Sequence, residues 1–415
     1  MLRPLGRSDR LGARLVLGSG LLFGLVYAAY ILLTSPHELG IDFEVYYVAA
    51  RASLAGENFL AVAPARSPDF TYLYPPLTIP FFYPFALLGS WQVGFAIHTL
   101  LTIGFGVATA VLLVRYVESR GVDLPWTDRV LIAGFVVASS HSIPSLVFGQ
   151  VNHHLAFAMT LGFLALERGR DGLSGAAFAA AAFVKVFPAA VGVWLLRQRA
   201  WRAVGTAIGT GLGLMALSVL AYGPDLNVFY VTEALLPRLE HEQFLGGLDP
   251  SATYLTLRRP LSVLFPQGPS LLWVAGALCL LAPPVAYLYR DTDAAIDRLV
   301  AIQGTLVAIL LFFPSFPIYA VILYFPLIPL LYLLESGRAR SLFVGGALLA
   351  NLSIRLDDLR AVLELLPVGS GVTDGVLAVA APVFTVGTPP LYGFLLVLAA
   401  CVLVRRRRDA ATRGG

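Results

Sequence analysis

The sequence predicts an all-α polytopic membrane protein of about twelve transmembrane helices, and three observations lead there. Hydrophobic residues make up 58% of the chain and charged residues 13%, far outside the composition of a soluble domain. The apolar residues gather into runs too long and too numerous for one globular core. The arginines fall mostly in alternate connections between those runs, as the positive-inside rule requires. The whole chain, residues 1–415, reads as one integral membrane domain with two large extracytoplasmic loops, 34–91 and 223–268.

The charged start, Arg3 to Arg14, leads into apolar residues 15–33, and no small-residue cleavage site follows, so this reads as a retained first helix. Further apolar segments occupy 93–114, 130–148, 152–166, 173–184, 187–196, 203–222, 269–289, 299–313, 319–334, 341–352 and 376–404. The run 77–88 is apolar but short, and follows Tyr74-Pro75-Pro76. Charge decides its fate. If it does not cross, the connections carrying Arg115/Arg120/Arg129, Arg168/Arg170, Arg197/Arg199/Arg202, Arg290/Arg298 and Arg338/Arg340 share one side with both termini. About 21 cations and 11 acids are then cytoplasmic, against about 8 cations and 14 acids outside. A crossing at 77–88 inverts every later loop, so this run reads as a surface or re-entrant helix in a multi-pass protein of the cell membrane. Cys279 and Cys401 both lie in apolar runs, which supports neither a disulfide framework nor a cysteine metal site.

Of the 29 Lys and Arg residues, only Lys185 is lysine, and it sits within an apolar stretch. The short pair 173–184 and 187–196 forms a hairpin turning at Lys185-Val186-Phe187-Pro188, with the lysine toward the outer half of the membrane. Twelve helical residues rise only about 18 Å, so the turn lies below the outer surface. There the ammonium serves either as a site for a lipid phosphate or as a side chain snorkelling to the interface.

Three outer segments carry further candidates. Gly40-Ile41-Asp42-Phe43-Glu44-Val45-Tyr46-Tyr47 follows the first helix, and a carboxylate among these rings suits a general base with a sugar stacked beside it. The alternative for Asp42 is a helix N-cap. Phe148-Gly149-Gln150-Val151-Asn152-His153-His154 offers amides and imidazoles for hydroxyl and phosphate recognition, or simply a solvated helix start. The adjacent histidines lack the spacing of a zinc pair. In the second loop, Arg258-Arg259 either clamps phosphate or anchors a helix end. Asp291-Thr292-Asp293 imitates a nucleotide-sugar metal motif but falls in a short cytoplasmic loop, where it reads as a solvated charge cluster. Walker, dinucleotide and zinc-protease motifs are absent from the sequence.

Several segments together resemble the glycosyltransferase 87 family over roughly residues 40–335: Asp42-Phe43-Glu44-Val45-Tyr46-Tyr47-Val48-Ala49-Ala50, Tyr72-Leu73-Tyr74-Pro75-Pro76, Gly149-Gln150-Val151-Asn152, Ala181-Ala182-Phe183-Val184-Lys185-Val186-Phe187-Pro188 and Arg199-Ala200-Trp201-Arg202. The resemblance implies a GT-C-like fold and the chemistry of polyprenol-phosphate-mannose-dependent alpha-1,2-mannosyltransferases. It matches Asp42 to the family's first-loop aspartate, the base, and Lys185 to the lysine of its Lys-x-x-Pro segment. A leaving phosphate needs cationic stabilisation, and the expected ligands are Lys185 with Arg258 or Arg259. Tyr46, Tyr74, Gln150, Asn152 and His153 are the expected substrate-binding residues. Asp249-Pro250 departs from the family's Asn-Gln, and Phe313-Pro314-Ser315-Phe316-Pro317-Ile318-Tyr319 lacks its late Trp and His.

The expected reaction is inverting transfer of a hexose, mannose in the usual family member, from a polyprenyl-phosphate donor to a glycolipid or lipid-linked glycan on the extracytoplasmic face. No cofactor, metal or nucleic acid enters this expectation, and membrane lipids are the other partners. A transporter or lipid flippase is the rival class, with Lys185 as a pathway charge, but no second copy of its hairpin appears in the sequence.

Overall fold

A computed structural model describes residues 7–239, 244–367 and 369–413. Arg3 of the charged start and residues 240–243 of the second large loop lie outside the described residues. Every regular element among the described residues is helical. In chain order these are α1 (Arg7–Thr34), α2 (Ile41–Leu54), α3 (Tyr83–Ala86), α4 (Trp91–Ser119), α5 (Trp126–Ala138), α6 (Ile143–Phe148), α7 (Asn152–Glu167), α8 (Asp171–Val184), α9 (Gly192–Arg197) and α10 (Trp201–Phe229). There follow α11 (Arg258–Leu264), α12 (Ser270–Leu288), α13 (Ala295–Phe312), α14 (Tyr324–Leu333), α15 (Arg338–Ala350), α16 (Leu356–Leu365), α17 (Ser370–Val386) and α18 (Pro389–Arg413).

Six helical stretches among the described residues are long and apolar enough to cross a bilayer: Arg10–Thr34, Trp91–Ser119, Trp201–Leu235, Ser270–Leu288, Ala295–Phe312 and Pro389–Ala410. Four further apolar helices are shorter: Asp171–Val184, Phe187–Arg197, Pro317–Leu333 and Ser370–Val386. The breaks follow local chemistry. Pro76, just before the apolar run 77–88, and Pro80 and Pro84 within it remove backbone donors, and a 3₁₀ helix over Pro76–Phe82 passes into the single turn of α3. Gly223, at φ 78 and ψ 161 before Pro224, kinks α10 where the apolar segment 203–222 was expected to end. The run 376–404, read in sequence as one segment, is two helices: Gly387 is extended and Pro389-Pro390 opens the next.

The chain divides into two compact units, each discontinuous in sequence. Gly24–Val114 with Ala133–Glu240 has a core rich in aromatic residues, including Phe43, Tyr46, Tyr72, Phe82 and Phe85. Tyr46 packs edge-on to Tyr72 at 5.9 Å and tilted on Phe82 at 4.7 Å, which ties α2 to the proline-rich segment. The other unit comprises Met1–Phe23, Arg115–Ile132 and His241–Gly415. Within it α15 and α18 pack along a seam of small residues, as apolar helices do where backbones must approach closely. A Cβ on Gly346 would lie 2.7 Å from the Gly393 carbonyl, and one on Gly393 would strike the Ala350 backbone. In α1 of the same unit, the Val16 carbonyl accepts a hydrogen bond from Asn351 Nδ2 at 2.8 Å.

Gly393→Leu is therefore expected to force α15 and α18 apart and cost about 1–3 kcal/mol. Thermal unfolding of the detergent-solubilised protein reads this directly, and an unchanged midpoint refutes the seam as a packing constraint.

Candidate functional site

Two left-handed glycines set the geometry of the site. Gly40 (φ 67) immediately precedes α2, and its N–H donates to the Val147 carbonyl at 2.8 Å. Gly149 (φ 81) terminates α6, returning its N–H to the Ser145 carbonyl at 3.0 Å. A Cβ at Gly149 would come within 2.5 Å of Phe43 Cβ, so only glycine permits both the dihedral and the approach. These two corners bring the start of α2 against residues 148–152.

Asp42 lies in the first turn of α2, but the N-cap is Gly40 and no side chain caps the helix. The N-cap reading of Asp42 is thus overturned. Its carboxylate instead turns to Gln150, whose Nε2 donates to Oδ2 at 2.6 Å. Gln150 Oε1 accepts from Asn152 Nδ2 at 2.8 Å, and Asn152 Nδ2 also donates to Ser145 Oγ at 3.0 Å. Asn152 Oδ1 accepts from Lys185 Nζ at 2.6 Å. Lys185 reaches it because α8 stops there: the residue is extended, at φ −136 and ψ 127, before the turn led by Pro188.

The result is an unbroken line, Lys185–Asn152–Gln150–Asp42, with a cation at one end and a carboxylate at the other. Asn152 is fully buried, while Asp42, Gln150 and Lys185 are half-buried. Burial raises the Asp42 pKa above that of an ordinary aspartate, against the opposing effects of the Gln150 hydrogen bond and the Lys185 charge. A half-buried carboxylate of raised proton affinity is suited to accept a proton. An ammonium held in place by an amide oxygen is suited to attract an oxyanion.

The other expected residues are placed differently. Tyr46 and Tyr74 are buried and share a hydroxyl–hydroxyl hydrogen bond of 3.0 Å, with Tyr46 one turn beyond Asp42 on α2. His153 is buried, and its Nε2 lies 3.0 Å from the Val137 carbonyl, so that nitrogen joins α7 to α5. Arg258 and Arg259 open α11 in the other unit. Arg259 is fully buried and donates to the carbonyls of Asp249 (3.1 Å), Pro250 (3.3 Å), Thr385 (3.1 Å), Ala252 and Phe384. Arg258 is also buried, with its guanidinium 5.4 Å from the Phe312 ring centroid. Asp291 pairs with Arg405 at 3.3 Å, and Asp297 with Arg408 at 2.8 Å, so the Asp-x-Asp imitation belongs to an ion-pair cluster. Among the described residues, no group of three or more His, Cys, Asp or Glu comes together as a metal site.

Sequence reasoning passed over two participants. Ser145 pins Asn152, a pairing across the Gly149 corner that no linear motif signals. Arg66 pairs with Glu44, donates to the carbonyls of His37 (2.8 Å) and Leu39 (3.1 Å), and lies 4.3 Å over the Trp91 ring, clamping the approach to α2. Its signal was available: Arg51 and Arg66 are the two cations in the acid-rich first loop.

Comparison with known proteins adds two findings. The model of Glycosyltransferase family 87 matches residues 72–314, more than half of the chain and a span that contains Gln150, Asn152 and Lys185 but not Asp42. A polyprenol-phosphate-mannose-dependent alpha-(1-2)-phosphatidylinositol pentamannoside mannosyltransferase of Mycolicibacterium smegmatis is 29% identical over 206 residues, 47% of this chain and 46% of the relative. The matched segment thus spans about half the length of that relative. No solved structure gives a significant match.

Gly149→Ala should move residue 150 away from Asp42 and lower turnover by about a hundredfold through misplacement alone. Near wild-type turnover in the folded variant rules out the glycine corner as the positioning device.

Proposed function

The chain belongs to glycosyltransferase family 87, and from that premise we propose that it transfers a hexose, mannose by analogy with its relative, from a polyprenyl-phosphate donor. The acceptor is a glycolipid or lipid-linked glycan, and the reaction takes place on the extracytoplasmic face of the cell membrane with inversion at the donor carbon. The observation that carries this reading is the hydrogen-bonded line joining Lys185 to Asp42. It provides an anion-holding group and a proton acceptor at a fixed separation, as substitution at a phosphate-bearing anomeric carbon requires.

In this mechanism Asp42 accepts the proton of the acceptor hydroxyl as its oxygen bonds to the anomeric carbon. The bond from that carbon to the phosphate oxygen breaks, and its electron pair leaves with the phosphate. The phosphate leaves as an anion, so it needs electrostatic stabilisation rather than a proton, and the Lys185 ammonium supplies that stabilisation. Arg259 donates to five carbonyls, so the phosphate in this mechanism is left to Lys185. Tyr46 and Tyr74 shape the wall beside Asp42, and His153 holds helices together. The twelve-crossing GT-C arrangement with both termini cytoplasmic is part of the same proposal. It rests on the arginine distribution and on short apolar helices such as α8, which require a thinned bilayer or a cavity.

Purified protein given polyprenyl-phosphate mannose and a glycolipid acceptor should transfer the sugar. Asp42→Asn should lower kcat/KM by about 10²- to 10⁴-fold, and full activity in that variant removes Asp42 as the base. Activity should fall as pH drops through the raised Asp42 pKa, placing the acidic limb above the range of an ordinary aspartate. Lys185→Met should weaken donor use by tenfold or more with little change in melting temperature. An unchanged donor dependence returns Lys185 to a snorkelling role.

A further inference from the structure

We propose that Gln150 and Asn152 are positioning residues, a two-amide relay that makes the anion-holding end at Lys185 and the proton-accepting end at Asp42 act as one unit. This rests on the reading of the two ends given above. It reassigns the two amides, which the sequence alone places among groups that touch substrate.

The polarity of the line is the first reason. An ammonium only donates hydrogen bonds and a carboxylate only accepts them, whereas each carboxamide has one accepting and one donating end. Two carboxamides in series therefore satisfy every link in a single orientation, oxygen toward the lysine and nitrogen toward the aspartate. Both side chains have that orientation. The second reason is that Asn152 is fully committed. Its two N–H bonds go to Gln150 and Ser145, its oxygen accepts from Lys185, and the side chain is fully buried. It has no hydrogen left to offer a substrate and acts through its neighbours.

Each end is thereby selected. Gln150 occupies Asp42 Oδ2, which leaves Oδ1 as the oxygen facing an acceptor hydroxyl. Asn152 holds the Lys185 ammonium through one of its hydrogens and so fixes where the cation stands toward a phosphate. When a donor phosphate neutralises Lys185, the polarisation passed along the amides weakens and Asp42 gains proton affinity. Donor binding thus primes the base, and by linkage the state of Asp42 feeds back on donor affinity. The other ionisable group bearing on this carboxylate is Tyr46, whose hydroxyl is held by Tyr74. Glu44, two residues along α2, is neutralised by Arg66.

Isosteric charge variants test the relay. Gln150→Glu keeps the shape but removes the donor to Asp42. Asn152→Asp keeps the acceptor for Lys185 but removes the donor to Gln150. Steady-state kinetics across pH, with polyprenyl-phosphate mannose as donor, should show kcat lowered by roughly tenfold to a hundredfold and an acidic limb displaced to higher pH in both variants. Donor KM should rise in Asn152→Asp, because the new carboxylate neutralises Lys185. A uniform loss at every pH with an unmoved limb assigns the amides to packing and overturns the relay. A KM effect alone, with the limb unmoved, makes them direct substrate ligands and overturns it as well. Gln150 is half-buried, so its variant decides the matter even if Asn152→Asp does not fold. Absence of transfer by the wild-type protein defeats the glycosyltransferase reading of the two ends, and the relay with it. Wild-type transfer with unmoved limbs defeats the relay alone.

Discussion

The local structure of the site depends on a hydrogen-bonded line whose direction is imposed by its two charged ends. Lys185 at one end admits only an acceptor and Asp42 at the other admits only a donor, so the amides of Asn152 and Gln150 are locked between them. A reversed amide would set oxygen against oxygen at one link and nitrogen against nitrogen at another. At Asn152, which is fully buried, a mismatch is costly, because an unpaired polar group there is not rescued by bulk water. Order at the site therefore follows from electrostatics as much as from packing.

The backbone meets this demand at two places where ordinary residues fail. Gly40 and Gly149 both adopt left-handed dihedrals, and the Gly40 N–H is tied to the Val147 carbonyl, so the start of α2 and the end of α6 meet as a rigid corner. At Lys185 the device is different. The α8 ladder stops, the lysine backbone extends, and Pro188 starts a new turn, leaving the side chain at a helix end rather than on a helix flank. A lysine on a helix flank in an apolar environment would have to snorkel along it, whereas one at a break reaches directly to Asn152.

Groups of similar chemistry elsewhere serve the fold. Arg259 has the guanidinium of a phosphate ligand, yet its donors are taken by carbonyls from the 249–252 loop and the end of α17. His153 has the imidazole of a hydroxyl ligand, yet one of its nitrogens meets a helix carbonyl. In both cases backbone carbonyls of another segment claim a buried donor. Residue type and polarity are the same as in a binding role, and the partner alone separates them.

Composition and the long continuous apolar runs by themselves pointed to the all-helical membrane character, because such runs satisfy their backbone among lipids as helices, whereas a barrel strand alternates apolar and polar residues. The sequence also marked Lys185, Asp42, Gln150 and Asn152, since a lone lysine and clustered polar groups are conspicuous against apolar runs. It did not reveal that the four form one line, that Gly40 rather than Asp42 begins α2, or that residues 376–404 form two helices. It also gave no sign that Ser145 anchors Asn152, and it left open whether Arg259 clamps phosphate or anchors a helix end, without showing which carbonyls occupy it. The physical reason is that residue type fixes what a side chain can donate or accept, whereas which partner it meets depends on contacts between segments far apart in the chain. Asp42 and Gln150 are 108 residues apart, and only the tertiary structure brings them to hydrogen-bonding distance.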